Sequence, residues 1–317
     1  MKMTDKLKER FVRDYKIPIR LYTEPYFTER IELLDRFYDT KFKWQTFVEM
    51  IEKFPNEEEY FAMYNSTKET AMDFIKSSEG FNNFNKLDMN LFAVKNKNLP
   101  SKDIFKPTFI GKTFISIDMK KANFNALKYY NASIFDGAET WEEFISKFTD
   151  CKYFIDSKYI REVIMGNCNP GRVSTYEKHL TDMILTLLED EGITLDKIVF
   201  FSNDEIVIDT SDMDRAAALK IAENVQANAF VPLRIEDFSL RAVTKNGKII
   251  GYIKVLTDGT YDFKCFNNLD LLLVIRLLKN EDIHESDLVF ENEGYLVKYM
   301  EMPIVEIITR YEKKENN

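Results

Sequence analysis

Cysteine and histidine are scarce in this chain of 317 residues, which has three cysteines and two histidines. The cysteines are odd in number and far apart, at positions 151, 168 and 265. Their spacing matches neither a disulfide framework nor a zinc site. Two histidines are also too few to predict histidine-based metal or triad chemistry. A reducing, cytoplasmic environment is therefore predicted.

Glycine (10 residues) and proline (8 residues) are also few, so long flexible linkers are not expected. No stretch approaches the roughly 18 consecutive apolar residues of a membrane-spanning helix. The N-terminal segment is rich in charged residues and lacks the apolar core of a secretory signal. These absences predict a protein that does not cross a membrane.

Aromatic residues, in contrast, are abundant, and the 26 Phe and 16 Tyr predict a bulky core. The chain is long enough for two or three subdomains. Its net charge is -9, from 44 basic and 53 acidic side chains. This balance argues against strong unaided binding to duplex nucleic acid, but it leaves room for a local basic groove and for a protein partner.

Hydrophobic periodicity predicts an α+β protein. Apolar residues at helical spacing dominate the beginning of the chain, so residues 1–108 are predicted to form a mostly helical N-terminal region. A strand over 109–117 and a helix over 119–130 are predicted next. Residues 244–317 are predicted to contain a β-hairpin and a helix, and the polar residues 313–317 are predicted to fray.

The middle of the chain continues with a helix, a hairpin, a helix and a strand. The sequence Ser174-Thr-Tyr-Glu177 matches a capping box, which predicts that a helix begins at Ser174, and Gly192 is predicted to end it. Residues 197–209 are predicted to form a hairpin. With the strand and helix before them, and a helix and strand after, residues 109–243 predict a split βαβ, ferredoxin-like layout.

Two apolar segments each deliver acidic residues to the end of a predicted strand. Asp118 follows Phe114-Ile-Ser-Ile, and Asp204-Glu205 lies at the tip of the predicted hairpin. Carboxylates brought to neighbouring strand ends are typical ligands of Mg²⁺ in two-metal phosphoryl transfer. Acids are also favoured at helix N-caps and at hairpin tips, so each motif alone also fits a purely structural role.

Both segments resemble motifs of palm-domain polymerases. The span 113–126 resembles their first catalytic motif, and 199–209 resembles their acidic hairpin. The Asn-Asp-Glu at the tip resembles the His-Asp-Glu of the polymerase I family. It also resembles the Ser-Asp-Glu of tRNA-His guanylyltransferases and the Gly-Gly-Asp-Glu-Phe of diguanylate cyclases. The resemblance implies that Asp118, Asp204 and Glu205 are catalytic and bind Mg²⁺ or Mn²⁺.

Basic residues cluster near the first acidic motif, where the span 95–128 contains eight lysines and two aspartates. Lys120 and Lys121 flank Asp118 and are predicted to meet a nucleoside triphosphate. The resemblance implies that Asn123 reads the sugar of the nucleotide. If the turn after the strand differs by one residue from that of the polymerases, the resemblance implies instead that Phe124 takes this position as a steric gate.

Three further basic residues lie between the two acidic motifs: Arg161, Arg172 and Lys178. In the polymerase I family, a helix at this place supplies Arg and Lys to the incoming triphosphate. The segment around Arg161 resembles the start of that helix, but the family's downstream Lys, Phe and Tyr pattern is missing. Asn167 to Arg172 equally resembles the loop before the second motif of reverse transcriptases.

The sequence thus predicts a metal-dependent nucleotidyltransferase that extends a nucleic acid primer, as phage or mobile-element polymerases do. Its partners would be nucleoside triphosphates and a primer or template strand. One alternative is a palm-type nucleotide cyclase or cyclic-dinucleotide synthase, although Ser202 and Asn203 replace the glycines of diguanylate cyclases. The other is a non-catalytic protein associated with nucleic acid.

Overall fold

The computed structural model describes residues 3–300 and 303–310, which form an α+β protein. The predicted fraying of residues 313–317 lies outside the described residues. The α-helices are α1 (Asp5–Asp14), α2 (Tyr26–Tyr38), α3 (Thr40–Ile51), α4 (Glu57–Ser77), α5 (Glu79–Lys86), α6 (Ala122–Tyr130), α7 (Trp141–Ile145), α8 (Lys152–Asp156), α9 (Lys158–Gly166), α10 (Pro170–Asp190), α11 (Arg215–Asn228) and α12 (Asn268–Lys279). No helix in the described ranges has both the length and the apolar character needed to cross a membrane.

Seven strands form one antiparallel sheet. In chain order, the strands of the protein are β1 (Thr113–Met119), β2 (Ile198–Phe201), β3 (Glu205–Asp209), β4 (Leu233–Lys245), β5 (Lys248–Leu256), β6 (Tyr261–Lys264), β7 (Val289–Asn292), β8 (Tyr295–Lys298) and β9 (Val305–Ile308). The sheet has the spatial order β2-β3-β1-β4-β5-β6, and β9 pairs with the end of β4. Strands β7 and β8 form a separate hairpin.

Strand β1 lies in the middle of the sheet, between two strands that are distant in sequence. Ile117 pairs with Ile206 on β3 and with Ile235 on β4. Successive side chains of a strand alternate between the two faces of a sheet. Ile115, Ile117 and Met119 therefore join the main core, which also contains the buried residues of the N-terminal helices and of α6, α10, α11 and α12.

The opposite face of the sheet is covered only in part. Phe114 and Phe238 lie on it and pack with Ile104 and Ile110, which come from the segment before β1. This second cluster covers the part of the face toward the start of β1. The end of β1, where Asp118 lies, remains beyond it.

The structure confirms most of the predicted elements and shifts several boundaries: β1 spans Thr113–Met119 rather than 109–117, and α6 begins at Ala122 rather than at 119. The helix with the proposed capping box begins at Pro170 rather than at Ser174, because Asn169 in a left-handed conformation precedes it. Ser174 and Glu177 are therefore in the helix interior, on its second turn. The predicted boundary between residues 243 and 244 falls inside β4, and β5 and β6 extend the same sheet.

A buried ion pair joins the N-terminal helices. The guanidinium of Arg10 donates to Asp14 (Nε to Oδ1, 2.9 Å), and Arg10 Nη2 also donates to the hydroxyl of Tyr64 on α4 (3.1 Å). The hydroxyl of Tyr153 on α8 donates to Asp14 Oδ2 (2.9 Å). Three helices are thus fastened to one pair of buried charges.

Replacing Asp14 by Asn should lower the free energy of unfolding by about 3–5 kcal/mol, because it leaves the buried charge of Arg10 without its counter-ion. Chemical denaturation monitored by circular dichroism would measure the loss. Glu9→Gln is the matched control, since Glu9 forms an exposed pair with Arg13 on the same helix (2.6 Å). Equal effects of the two substitutions would contradict the role assigned to the buried pair.

Candidate functional site

Asp118 lies within β1, and α6 begins only at Ala122 after a left-handed Lys121. Asp118 is therefore not a helix N-cap, and the side chain that it contacts is Arg234 (2.7 Å). It pairs across the sheet with Glu205 on one side and with Arg234 on the other. The strand register thus places two acidic residues and one basic residue side by side.

The tip of the β2–β3 hairpin is held by the hydroxyl of Ser202. This oxygen accepts from the backbone amides of Asp204 (3.3 Å) and Glu205 (3.0 Å). It also donates to the Asp204 carboxylate (3.1 Å). The end of β1 is joined to the tip by a bond from the Met119 amide to the Asp204 carbonyl (2.8 Å). The two acidic motifs of the sequence therefore meet.

The carboxylates of the site influence one another. Burial raises the pKa of Asp118 to about 6, against the lowering effect of Arg234. The negative charges of Asp204 and Glu205 contribute to this increase. Asp118 therefore lies close to two other carboxylates and to one cation, Arg234.

A row of charged side chains leads away from Asp118 along the sheet. Arg234 donates to Asp118 Oδ2 (2.7 Å) and also lies 3.3 Å from Glu236. Glu236 accepts from Lys254 (2.7 Å), which is only 5% exposed. On the other side, the hydroxyl of Ser116 donates to Glu205 Oε1. Asp118 and Glu205 are thus each oriented by a neighbour on the sheet.

A fourth carboxylate, Glu177 on α10, lies near the tip. Ser174 accepts from the Asn203 side chain, and the Thr181 hydroxyl donates to the Asn203 carbonyl (2.7 Å). Glu177 lies one turn from each of these contacts. Burial and the charge of Asp204 raise its pKa to about 7. Sequence reasoning missed Glu177 because it assigned this residue to a capping box. The available signal was its spacing of four residues from Thr181, which places both on one face of a helix.

The two lysines beside Asp118 have different surroundings. Lys121 donates to the carboxylate of Glu142 on α7 (2.5 Å), so its charge is already paired. The Lys120 side chain is exposed, while its backbone amide donates to the Pro232 carbonyl (2.9 Å). Lys120 is therefore the more accessible of the two for an anionic ligand.

The two residues proposed to contact the sugar, Asn123 and Phe124, also differ in burial and contacts. The Asn123 side chain is half-buried and accepts from the Phe124 amide (2.9 Å), close to the N-terminus of α6. Phe124 is only 1% exposed and packs against Phe135 and Trp141 in the core. As positioned, Phe124 does not line an open site, so Asn123 is the better placed of the pair.

Arg161 lies on α9 in a cluster of charged residues that includes Glu162 and Glu142 as well as Lys158. Its Nε is buried without a hydrogen-bond partner in the described part of the chain. Lys158, one turn earlier on the same helix, pairs with Glu162 (3.8 Å). Burial lowers the pKa of Lys158, the nearby cations Lys16, Arg161 and Arg234 lower it further, and Glu162 opposes them. Because Arg234 contacts Asp118, this cluster adjoins the acidic residues. Sequence reasoning missed Lys158.

Arg172 and Lys178 lie elsewhere. Arg172 donates to the backbone carbonyls of Phe84 (3.1 Å) and Leu87, so it fastens the end of α5 to α10. Lys178 lies over the ring of Phe201, with Nζ 5.4 Å from the ring centroid. Arg172 is therefore occupied by structural contacts, and Lys178 lies beside the hairpin on the side of β2.

The residues that the structure describes contain no group of three or more His, Cys, Asp or Glu side chains placed to hold a metal ion. Comparisons with protein-family models, curated proteins and solved structures found no match. The case for a function therefore depends on the geometry of the site.

Replacing Glu177 by Gln should stabilise the protein at pH 8 but not at pH 4. The raised pKa means that ionisation of Glu177 costs stability as the pH rises from about 4.5 to about 7, and the cost is complete above that range. The expected gain is about 1–2 kcal/mol, since water screens a half-buried group. Denaturant unfolding at both pH values measures it.

Glu189→Gln is the matched control, because Glu189 is an exposed residue of the same helix. It should leave the difference between the two pH values as in the unsubstituted protein. A gain for Glu177→Gln that is the same at pH 4 and pH 8 would contradict the electrostatic origin of the effect.

Proposed function

We propose that this protein is a metal-dependent nucleotidyltransferase with a palm-type catalytic domain, which extends a nucleic acid strand. The observation that carries the proposal is the register of β1. It sets Asp118 opposite Glu205 and joins Met119 to Asp204. Acids from two distant motifs therefore converge where the paired strands β1 and β3 meet the hairpin tip. Nucleotidyl transfer requires such a convergence of carboxylates.

The topology supports the palm assignment. Strands β1 to β4 have the spatial order β2-β3-β1-β4, with antiparallel neighbours and helices in both the β1–β2 and β3–β4 connections. This is the order of a split βαβ, ferredoxin-like sheet. The same fold hosts many activities, so the argument for function rests on the acidic residues.

The acidic residues suit Mg²⁺ in chemical type. They are hard oxygen ligands, and a divalent cation would favour the ionised form of Asp118, whose pKa is raised by burial and by the neighbouring carboxylates. Mg²⁺ is usually held by one or two carboxylates together with substrate phosphates and water, so a cage of three protein ligands is not required. Asp118 and Asp204 would hold the ion.

When bound, the ion would supply charge for the transferring phosphoryl oxygens and lower the pKa of the attacking hydroxyl. Hydrogen bonds within the protein hold the acidic side chains around the ion in place. Ser202 orients Asp204, and Ser116 orients Glu205.

Basic residues on two sides would receive the phosphates of the nucleotide. Lys120 is exposed directly after β1, and the Arg161 guanidinium has an unpartnered Nε on α9. Lys158, which also pairs with Glu162, lies next to Arg161. Cations near a carboxylate site favour an anionic substrate such as a nucleoside triphosphate. Asn123 is placed at the start of α6, where it would contact the sugar.

Asp118→Asn and Asp204→Asn should each reduce Mg²⁺-dependent nucleotide incorporation by at least about 1,000-fold, because each removes charge that stabilises the transition state. Extension of labelled primers on DNA and RNA templates would measure this. Asp196→Asn, at an exposed turn before β2, is the control and should retain activity. Full incorporation by either site variant would refute the proposal.

The same assay with nucleoside triphosphates alone separates the two enzymatic alternatives. A primer-extending enzyme forms no product without a primer. Accumulation of a cyclic nucleotide or cyclic dinucleotide, resolved by chromatography, would contradict strand extension and favour a cyclase.

Arg234→Gln should increase the affinity for Mn²⁺ in the absence of nucleotide by about tenfold, because Arg234 neutralises Asp118 across 2.7 Å. Isothermal titration calorimetry of the full chain would measure the change. Arg215→Gln is the matched control, since Arg215 forms an equally short pair with Asp237 on the same strand (2.7 Å). Equal affinities for the Arg234 variant and the unsubstituted protein would contradict this competition.

A further inference from the structure

We propose that a cavity between α2, the start of α12 and the β7–β8 hairpin is a binding site for a phosphate group. The cavity has a volume of about 280 Å³ and is lined by residues that include Arg20, Arg30, Asn268, Leu269, Phe290 and Tyr299. Its chemistry is set by a buried arginine and a helix N-terminus that point to the same ligand class.

Arg30 occupies a position of α2 that faces the core. It lies with Phe27, Ile31 and Leu34 among the buried residues of the helix, and it is only 6% exposed. A buried charge is normally paired with an opposite charge because desolvation is costly. Arg30 has no carboxylate within ion-pair distance among the residues that the structure describes. An anion in the cavity would supply the missing partner.

The hydrogen bonds of Arg30 lead to the same conclusion. Its Nη2 donates to the Val289 carbonyl (2.5 Å), and this is its one hydrogen bond within the described ranges. Burial lowers the pKa of Arg30, and the charge of Asp287 opposes that effect. The Asp287 carboxylate, however, is already bound by Arg276 (2.9 Å). Donors on the guanidinium therefore remain for a ligand.

The second element of the site is the N-terminus of α12, a helix of twelve residues. The Asn267 side chain caps the helix by accepting from the Asp270 amide (2.8 Å). The amides of Asn268 and Leu269, at the first two helical positions, have no acceptor among the described residues. Free amides at a helix N-terminus, together with the helix dipole, favour an anion.

The rest of the lining suits a phosphate monoester. Arg20 adds a second positive charge at the exposed side of the cavity, and the exposed Glu291 is the one acidic residue of the lining. The rings of Phe290 and Tyr299 lie against each other with centroids 5.1 Å apart, and Tyr299 is half exposed. Guanidinium groups bind phosphate oxygens well, and an aromatic edge would accept an attached base or other ring. The ligand is therefore inorganic phosphate or a nucleoside monophosphate.

This cavity is far from the acidic residues. An adjoining cavity shares Leu269 and Tyr299 with it and is lined by Lys245, at the end of β4. Arg234, which contacts Asp118, lies near the beginning of that strand, eleven residues earlier. Eleven residues of extended strand span about 36 Å. The inference therefore does not rest on the proposed nucleotidyl transfer.

Isothermal titration of the full chain with sodium phosphate and separately with AMP, at constant ionic strength in chloride, tests the site. Saturable binding of one equivalent is expected. Arg30→Met should weaken it at least tenfold, whereas Arg36→Met, at an exposed position of the same helix, should leave it unchanged. Tighter binding of AMP than of phosphate would identify a nucleotide as the ligand, and equal binding would identify the phosphate group alone.

Asn268→Pro provides a second test that does not disturb the core. Proline is well tolerated at the first position of a helix, and Asn267 already has the extended conformation that favours a following proline. The substitution removes one amide donor and should weaken phosphate binding severalfold with little change in the thermal unfolding temperature. Asp204→Asn should bind phosphate normally, which separates this site from the acidic one.

The absence of saturable binding to the unsubstituted chain would overturn the inference. Undiminished binding by both Arg30→Met and Asn268→Pro would overturn it as well.

Discussion

The pairing of β1 with β3 and β4 is the constraint on which the site depends. β1 is paired on both edges, with Asp118 opposite Glu205 and Arg234. A slip of one residue would turn Asp118 toward the main core and Ile117 toward the open face, which burial of the apolar side chains opposes. The same hydrophobic alternation that stabilises the sheet therefore also fixes where the carboxylate points.

The site combines several neighbouring carboxylates with hydrogen bonds that hold the acidic side chains in place. Burial raises the pKa of Asp118, Arg234 lowers it, and the charges of Asp204 and Glu205 raise it. Ser202 and Ser116 bind the acidic residues on the hairpin, so these carboxylates are oriented before any ligand arrives. Carboxylates whose pKa is raised by burial and by neighbouring charges are common at functional sites. The separate cavity at Arg30 follows the same principle with the opposite sign of charge.

Elements whose signals are local could be predicted from the sequence. Asp214 caps α11, Gly192 follows the end of α10 with a left-handed conformation, and the β5–β6 hairpin closes at Gly259. The acidic hairpin was also predictable, because strand propensity and turn residues alternate within a dozen positions. The start of α10 was not, since Ser174 and Glu177 match a capping box equally well inside a helix that begins one turn earlier.

The sequence by itself determined that acidic residues follow two β-rich segments and that helices separate those segments. Only the tertiary structure decided which side chains meet them: Arg234 on Asp118, Glu177 near Asp204, and Phe124 in the core rather than at the site. It also assigned Arg172 to the backbone of α5, away from the acids. The physical reason is that strand ends and helix caps depend on neighbours within a few residues of the chain. The pairing of strands and the burial of side chains depend on contacts between residues more than a hundred positions apart in sequence.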